Sequence, residues 1–305
     1  MTEFVWIENP PLDKALTNQI EEIYWKWFSK RHLKAFMETI EQDATLKKII
    51  DEDLNITKDS IKAFLLADTK KLADIKKNID DYADDINDES KKFILKRYGN
   101  FRKSQAAKIV DVLGILTCPY CNQNYINIVY DKKGKLQFRG DLDHYYNKSQ
   151  YTAMAICLYN LIPACKVCNQ IKSKTDKKIQ NPYDSSYSSK IRFKTEFDDQ
   201  GDIDYLQGKS QNFNIVIDKT NILETDNNEI DLFELEDRYN NLKRNAQEII
   251  IKAKAYDVQY KKFLEDQFDI DGDELEKYIF GYTDEHIDRE LSRFNKDIME
   301  EFKEN

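Results

Sequence analysis

The sequence predicts an α+β fold that is mainly helical, with a short β-containing segment between two helical regions. Apolar residues recur at helical spacing in 20–28 and again in 232–253. Between them, residues 125–130 and 135–142 alternate in polarity as strands do, joined by the turn-like residues 131–134. We therefore divide the chain into an N-terminal helical region (1–116), a central core (117–184) and a C-terminal region (185–305).

The N-terminal region is predicted to be mostly helical, with further helices in 61–79 and 90–116 separated by acidic polar runs. Its most conspicuous feature is the aromatic cluster Tyr24, Trp25, Trp27 and Phe28. Such a cluster could be a binding face, but large apolar side chains at helical spacing are more often core residues. We therefore expect this stripe to be buried.

The rest of the chain alternates between the two patterns. In the centre we expect a helix in 151–158 and another from Cys165 past Lys172. The C-terminal region should begin with two strands, around 191–197 and 213–217, and continue as one long helix over 232–253 with a single apolar face. The acidic run 269–273 lacks a glutamate at the twelfth position of a calcium loop, where Phe280 stands, so we interpret it as a turn before a helix.

Composition excludes several classes of function. The chain has 305 residues, 41% of them apolar and 34% charged, and no run approaches the roughly 20 apolar residues of a membrane span. Residues 1–13 lack the features of a secretory signal, so we expect a cytoplasmic protein. With 8 glycines and no glycine-rich phosphate loop, ATP hydrolysis and hydride transfer are not expected.

Charge is distributed unevenly along the chain. The net charge is −9, yet residues 118–180 carry ten Lys plus Arg against four Asp, a net charge of +6, and the rest carries −15. A basic segment in an acidic chain is a candidate contact for phosphate groups.

Four of the five cysteines form two Cys-x-x-Cys pairs, Cys118 with Cys121 and Cys165 with Cys168. Four thiolates at this spacing suit a tetrahedral structural zinc site. A thiol redox site would use one pair and leave the other without a role, so zinc is the favoured interpretation. Cys157 stands in an apolar stretch and is predicted to be a core residue.

Between the pairs lies an ordered series of polar residues. Asp143 and His144 come first, Asn160 follows, and Asn169 and Lys172 come directly after the second pair. The chain has three histidines, and we assign structural roles to His32 and His286.

This series resembles the pattern of the HNH endonucleases, of the ββα-metal subtype with a four-cysteine zinc site. Their pattern is Asp-His, then Asn-Leu, then Cys-x-x-Cys followed by His or Asn and a Lys, and here residues 142–149 and 160–172 match it in order. With the first cysteine pair, the likeness covers about a fifth of the chain. Segments 232–239 and 291–298 also resemble HNH proteins found beside ATPase genes in bacterial anti-phage systems of the Septu kind.

The resemblance implies a role for each matching residue. His144 would be the general base, and Asn160 would hold the loop that carries it. Asp143 and Asn169 would bind a catalytic Mg²⁺ or Mn²⁺, and Lys172 and Lys148 would contact phosphate. The four cysteines would hold a separate zinc. The implied partners are a nucleic-acid substrate, with DNA favoured over RNA, and an ATPase protein.

Two positions depart from the family pattern. Asn169 stands where many members have His, and Asn147 stands where many have Pro. An amide oxygen is a hard, neutral ligand, which favours Mg²⁺ or Mn²⁺ and should bind metal more weakly than imidazole.

Two other functions stay open at this point. A zinc-organised nucleic-acid-binding module would need the cysteines and lysines but not the ordered Asp143, His144 and Asn160. A scaffold that binds proteins through its long helices would also leave that series without a purpose.

Overall fold

A computed structural model describes residues 14–82, 85–173, 175, 177–184, 191–197, 202–220, 222–284 and 286–303. The described chain is α+β and mainly helical, as predicted. Its α-helices are α1 (Lys14–Arg31), α2 (Leu33–Glu41), α3 (Ala44–Ile50), α4 (Lys58–Leu65), α5 (Thr69–Asp81), α6 (Asp88–Ser104), α7 (Ala106–Leu113), α8 (Lys166–Lys172), α9 (Glu224–Leu232), α10 (Leu235–Asn240), α11 (Lys243–Ala255), α12 (Val258–Phe268), α13 (Gly272–Phe280) and α14 (Ser292–Phe302).

The described strands form three antiparallel pairs. They are β1 (Ile128–Tyr130) with β2 (Leu136–Phe138), β3 (Asp141–His144) with β4 (Leu161–Ala164), and β5 (Phe193–Phe197) with β6 (Phe213–Ile217). The third pair matches the predicted strands: Phe193 of β5 and Phe213, Ile215 and Ile217 of β6 alternate and are buried, whereas Phe197 at the end of β5 is exposed.

The N-terminal aromatic stripe is core, as predicted. Tyr24, Trp27 and Phe28 are buried, and the Tyr24 ring meets Phe101 of α6 edge-on at 5.0 Å between centroids. The Tyr24 hydroxyl donates to the carbonyl of Ile156 in the central segment. The N-terminal helices therefore pack directly against the centre of the chain.

The predicted strands and helix of the central region need correction. In 125–130 the described strand is β1, and Tyr125 adds an isolated antiparallel bridge to Thr117. Residues 135–142 are divided between β2 and the start of β3. Gly140 lies between β2 and β3. A Cβ atom at this position would lie 2.6 Å from the Phe138 ring, which is too close for a side chain. Residues 151–158 contain a 3₁₀ turn, Thr152–Ile156, in place of an α-helix, and every side chain in that turn is buried. A surface helix needs one apolar and one polar face. This segment is buried on all sides and lacks that pattern.

The long C-terminal helix predicted for 232–253 is wrong as a single element. It is divided into the end of α9, α10 and α11, and Glu234 takes a left-handed conformation (φ 51°) at the first break. The apolar face survives the break, since Leu235, Tyr239 and Ala246 are all buried. Periodicity thus identified the buried positions, whereas the break depends on backbone conformation at one residue.

The acidic run 269–273 is a turn before a helix, as predicted. Asp269 has a positive φ of 52°, and the Asp271 carboxylate accepts from the backbone amides of Asp273 and Glu274 at the start of α13. Its oxygens therefore cap a helix.

The C-terminal region is joined to the first cysteine pair by backbone hydrogen bonds. The Thr117 amide donates to the carbonyl of Ile287 at 2.8 Å, and the Leu291 amide donates to that of Asn122. One continuous set of buried apolar residues extends through all three regions of the described chain. The site described below is therefore supported from both sides.

Candidate metal centre and active-site cleft

The four cysteines of the two pairs come together in the fold. All four are buried, and their Sγ atoms lie within 4.8 Å of one another. Cys165 caps the start of α8, where its sulfur accepts from the Cys168 amide, so the helix itself sets the spacing of the second pair. The cluster could hold a metal ion such as zinc, because four soft thiolates suit tetrahedral coordination.

Positive and polar groups surround this cluster. Arg238 of α10 points its Nη1 at the sulfur of Cys168 at 3.6 Å, and the Asn124 amide lies 3.7 Å from the sulfurs of Cys121 and Cys165. Four thiolates around one divalent ion leave a net charge of −2, and a guanidinium offsets part of it. The sequence pattern did not identify Arg238 or Asn124, since neither lies inside a cysteine pair.

Cys157 is separate from the cluster, as predicted. Its thiol is buried and lies 3.4 Å from the Phe64 carbonyl, and burial raises the pKa of this thiol above its ordinary value.

The residues between the cysteine pairs form two strands followed by a helix. In the β3–β4 pair, Asp143 lies opposite Ile162 and His144 opposite Leu161. β4 then leads through Cys165 into α8, which carries Asn169 and Lys172. This order places the second cysteine pair at one end of α8 and the polar residues along it.

A cleft of about 290 Å³ opens beside β3 and α8. Five of the predicted site residues line it, namely Asp143, His144, Lys148, Asn169 and Lys172. The same cleft is also lined by Tyr98 and Arg102 of α6 and by Asp141, Leu142, Asn147 and Ser173. Five residues of the polar series that follow one another along the sequence therefore line the same cleft.

His144 is held in one orientation within this cleft. Its Nε2 lies 3.2 Å from the carbonyl oxygen of Ala155, and the Tyr98 ring meets it edge-on at 4.4 Å. A carbonyl can only accept, so Nε2 carries the proton and Nδ1 keeps its lone pair. Burial, aided by the charge of Lys148, lowers the pKa of His144 to about 3. The imidazole is therefore neutral at neutral pH, which is the form a base requires.

Asn160 lies behind the cleft and fastens the loop that follows His144. It is fully buried, and its Oδ1 accepts from the Tyr146 amide at 2.7 Å. Its Nδ2 donates to the carbonyl of Met154 at 3.0 Å and to that of Tyr146 at 3.3 Å. These contacts are those of a residue that positions a loop.

Lys172 has a different environment from the phosphate contact expected of it. Its Nζ donates to the carbonyls of His144 and Tyr145, each at 2.9 Å, and lies 3.0 Å from Oδ2 of Asp143. The side chain is 8% exposed. A buried ammonium needs oxygen partners, and these contacts suit a residue that positions Asp143 and the backbone of residues 144 and 145. The phosphate contact of Lys172 stays a prediction. Tyr120 also donates to Oδ2 of Asp143, at 2.8 Å.

Asn169 is oriented by a residue that the sequence reasoning missed. Its amide nitrogen donates to Oδ2 of Asp141 at 3.1 Å, so its carbonyl oxygen Oδ1 is the atom suited to a metal. Asp141 also accepts from Nη2 of Arg102 at 2.6 Å. Asp141 could have been found, because side chains two residues apart on a strand share a face with Asp143. Arg102 and Tyr98 gave no such signal, since they come from a helix far upstream.

Lys148 lies at the cleft, as its predicted role requires, with Nζ 5.1 Å from the centroid of the Tyr98 ring. Both predicted phosphate-binding lysines line the cleft. Lys172 is held in a buried ion pair with Asp143, whereas Lys148 is exposed.

No model of a known protein family matches the chain. Searches of curated proteins and of solved structures likewise found no match. Within the described residues, none of the helices combines the length and apolar character that crossing a membrane requires.

Proposed function

We propose that this protein is a metal-dependent endonuclease of the HNH type, which hydrolyses phosphodiester bonds of nucleic acid. The observation that carries the proposal is the position of His144. It is a neutral, oriented imidazole in one cleft with Asp143 and Asn169, on two strands and a helix that four cysteines tie together.

In this proposal His144 is the general base. Its Nδ1 takes the proton of an attacking water, while the Nε2 contact with Ala155 keeps the ring in place. Asn160 fixes the following loop, and Lys172 holds Asp143 and the backbone of residues 144 and 145. Lys148, which lines the cleft, would contact a phosphate of the substrate.

The residues also fit a hard divalent ion. Asp143 offers a carboxylate and Asn169 a carbonyl oxygen, the ligand types that Mg²⁺ and Mn²⁺ prefer. Such an ion would offset the negative charge that develops on the phosphate during hydrolysis.

The wider biological setting follows from the family likeness alone. On that basis we propose DNA before RNA as substrate, and a role in anti-phage defence with an ATPase partner. The cytoplasmic location is proposed from residues 1–13, which lack the features of a secretory signal. Exposed apolar side chains on α12, including Val258, Phe263 and Phe268, offer surface area for protein contact.

A zinc-organised nucleic-acid-binding module without catalysis is the second candidate. The observation that favours it is the engagement of Asp143, whose Oδ2 is already held by Lys172 and Tyr120. In a binding module this carboxylate would serve as an internal anchor.

Cleavage by purified protein separates the two candidates. Plasmid, single-stranded DNA and total RNA are incubated with Mg²⁺, with Mn²⁺ or with neither, and His144→Ala is compared with His32→Phe. His32 is the matched control, because it is also buried but packs against Trp27 and Phe28, away from the cleft. We expect His144→Ala to lower the rate by about 10²- to 10⁴-fold. Its zinc content and melting temperature should stay near those of the parent, and His32→Phe should remain active.

Two results would count against the nuclease. Full activity in His144→Ala would remove the proposed base. Binding of nucleic acid without metal-dependent cleavage of any substrate would favour the binding module.

A further inference from the structure

A second pocket adjoins the cleft. It measures about 540 Å³ and shares Asn147 and Lys172 with the cleft as lining residues. A ligand that crosses the cleft along this side would therefore enter it directly. Its volume is within the range of sites that take small molecules or single nucleotides.

Three tyrosines wall this pocket, Tyr145, Tyr146 and Tyr151. The Tyr146 ring meets Tyr145 edge-on at 4.9 Å and Tyr151 at 5.9 Å. The Tyr145 hydroxyl donates to the Ile179 carbonyl, and that of Tyr151 to Asp80, each within 2.9 Å. Two of the rings are thus fixed by their own hydroxyls, while Asn160 fixes the backbone of the third.

Four lysines line this pocket, and three of them are paired with carboxylates outside the lining: Lys76 with Asp80, Lys172 with Asp143, and Lys177 with Asp231 at 3.7 Å. Lys178 is the fourth, and the described lining residues include no carboxylate. The Nζ of Lys76 lies 5.5 Å from the Tyr151 ring centroid. Aromatic rings next to lysines form the combination that binds unpaired nucleotides, with bases stacking on the rings and phosphates meeting the charges.

Another cleft that adjoins the central one is lined by basic residues. This cleft of about 520 Å³ shares Tyr98 and Arg102 with the central one and is lined by Lys103, Lys108 and Lys135. The three clefts adjoin through shared residues, with His144 in the central one. Of the two adjoining clefts, the tyrosine-lined one holds the cluster of three aromatic rings.

We propose that the tyrosine pocket binds the base of an unpaired nucleotide next to the phosphate that is cut. This inference rests on the proposed nuclease function and specifies its substrate class as single-stranded or locally unpaired nucleic acid. In a duplex the bases are stacked inside the helix and reach such a pocket only after unstacking.

Binding and cleavage are measured separately to test this. The His144→Ala protein is titrated with labelled strands of one sequence as single-stranded DNA, single-stranded RNA, perfect duplex and duplex with a three-nucleotide bulge. Tyr146→Leu and Tyr146→Phe are added to this background, with the exposed Tyr278→Leu as the matched control. Loss of a stacking ring should weaken binding of the unpaired substrates about 5- to 100-fold. Tyr146→Phe and Tyr278→Leu should bind as the parent does, and duplex binding should stay weak in all variants.

A charge variant keeps the test valid if Tyr146→Leu folds poorly. Lys178 is exposed, so Lys178→Gln should fold normally and reduce the slope of log affinity against log salt by about 0.7 for a single strand. Lys262→Gln, exposed on α12, should leave the slope unchanged.

Each outcome bears on the inference. Duplex binding as tight as single-strand binding, binding unaffected by both Tyr146→Leu and Lys178→Gln, or no binding of any nucleic acid would overturn it. Tyr146-dependent binding of unpaired strands without cleavage by the wild-type protein would uphold the pocket and refute the nuclease. The DNA and RNA arms identify the sugar that the pocket accepts.

Discussion

The cysteine cluster and the cleft meet at α8, and they differ in how completely the protein closes them. Cys168 belongs to the cluster and the next residue, Asn169, lines the cleft. The cluster has four buried sulfurs and is enclosed by Arg238 and Asn124. The cleft has oxygen donors from Asp143 and Asn169, and it is open.

If the proposed function holds, this difference separates a stabilising site from a reactive one. A structural zinc site takes all its ligands from the protein, whereas a catalytic ion keeps positions for water and substrate. Changes in the cluster should therefore act on folding, and changes in the cleft should act on activity or on local stability.

The largest effect is expected in the cluster. Cys168→Ser removes a thiolate, and because metal binding at such a site contributes directly to folding, most of the protein should be insoluble or lose its cooperative melting transition. Zinc per chain and thermal melting measure this. Cys157→Ala is the matched control, since that thiol is buried outside the cluster; it should keep the zinc and lose about 1 kcal/mol. Zinc-free Cys168→Ser with unchanged melting would contradict the structural role.

The two lysines of the cleft should differ next. Lys172→Gln leaves the Asp143 carboxylate buried without its cation, which should lower the free energy of unfolding by about 3 kcal/mol and also abolish activity. Lys148→Gln should leave stability unchanged and raise KM. Chemical denaturation and steady-state kinetics measure the pair. If Lys172→Gln were as stable as Lys148→Gln, the internal role of Lys172 would be wrong.

The sequence identified what local spacing encodes. The cysteine pairs, the strands around 193–197 and 213–217 and the buried stripe from Ile20 to Phe28 all follow from residues close together in the chain. The break at Glu234 could not be predicted in this way, because an apolar face continues across it.

The surroundings of the cleft depended on contacts between distant segments. Arg102 reaches Asp141 from 39 residues upstream, and Arg238 reaches Cys168 from 70 residues downstream. No motif contains either arginine. The internal contacts of Lys172 were missed for a related reason, since its spacing from Cys168 fits a surface position and a buried one equally well.

A smaller effect is expected at Asn169. Asn169→Ala should raise the Mg²⁺ concentration needed for half-maximal cleavage by about 10-fold. Asn169→His should keep activity and shift the preference toward Co²⁺ or Ni²⁺, which imidazole suits better than an amide. Metal titrations of cleavage measure both, with Ser173→Ala, another residue lining the cleft, as the control. An unchanged titration in Asn169→Ala would mean that this amide does not bind the metal.

The smallest effect concerns a histidine that has no part in the cleft. His32 is buried beside Trp27 and Phe28, and burial, aided by the charge of Arg97, lowers its pKa to about 4 from an ordinary value of 6.5. The unfolded chain therefore binds a proton on this residue at a higher pH than the folded chain does. The contribution of neutral His32 to stability is complete above pH 6.5 and is lost as the pH falls toward 4. Between pH 7.5 and pH 5 the loss should be on the order of 1 kcal/mol.

Denaturant unfolding of wild type and His32→Phe at both pH values measures this loss of stability, and other titrating groups, including the cysteines, cancel in the comparison. The wild type should lose more stability than the variant, and equal losses would show that His32 titrates normally in the folded protein.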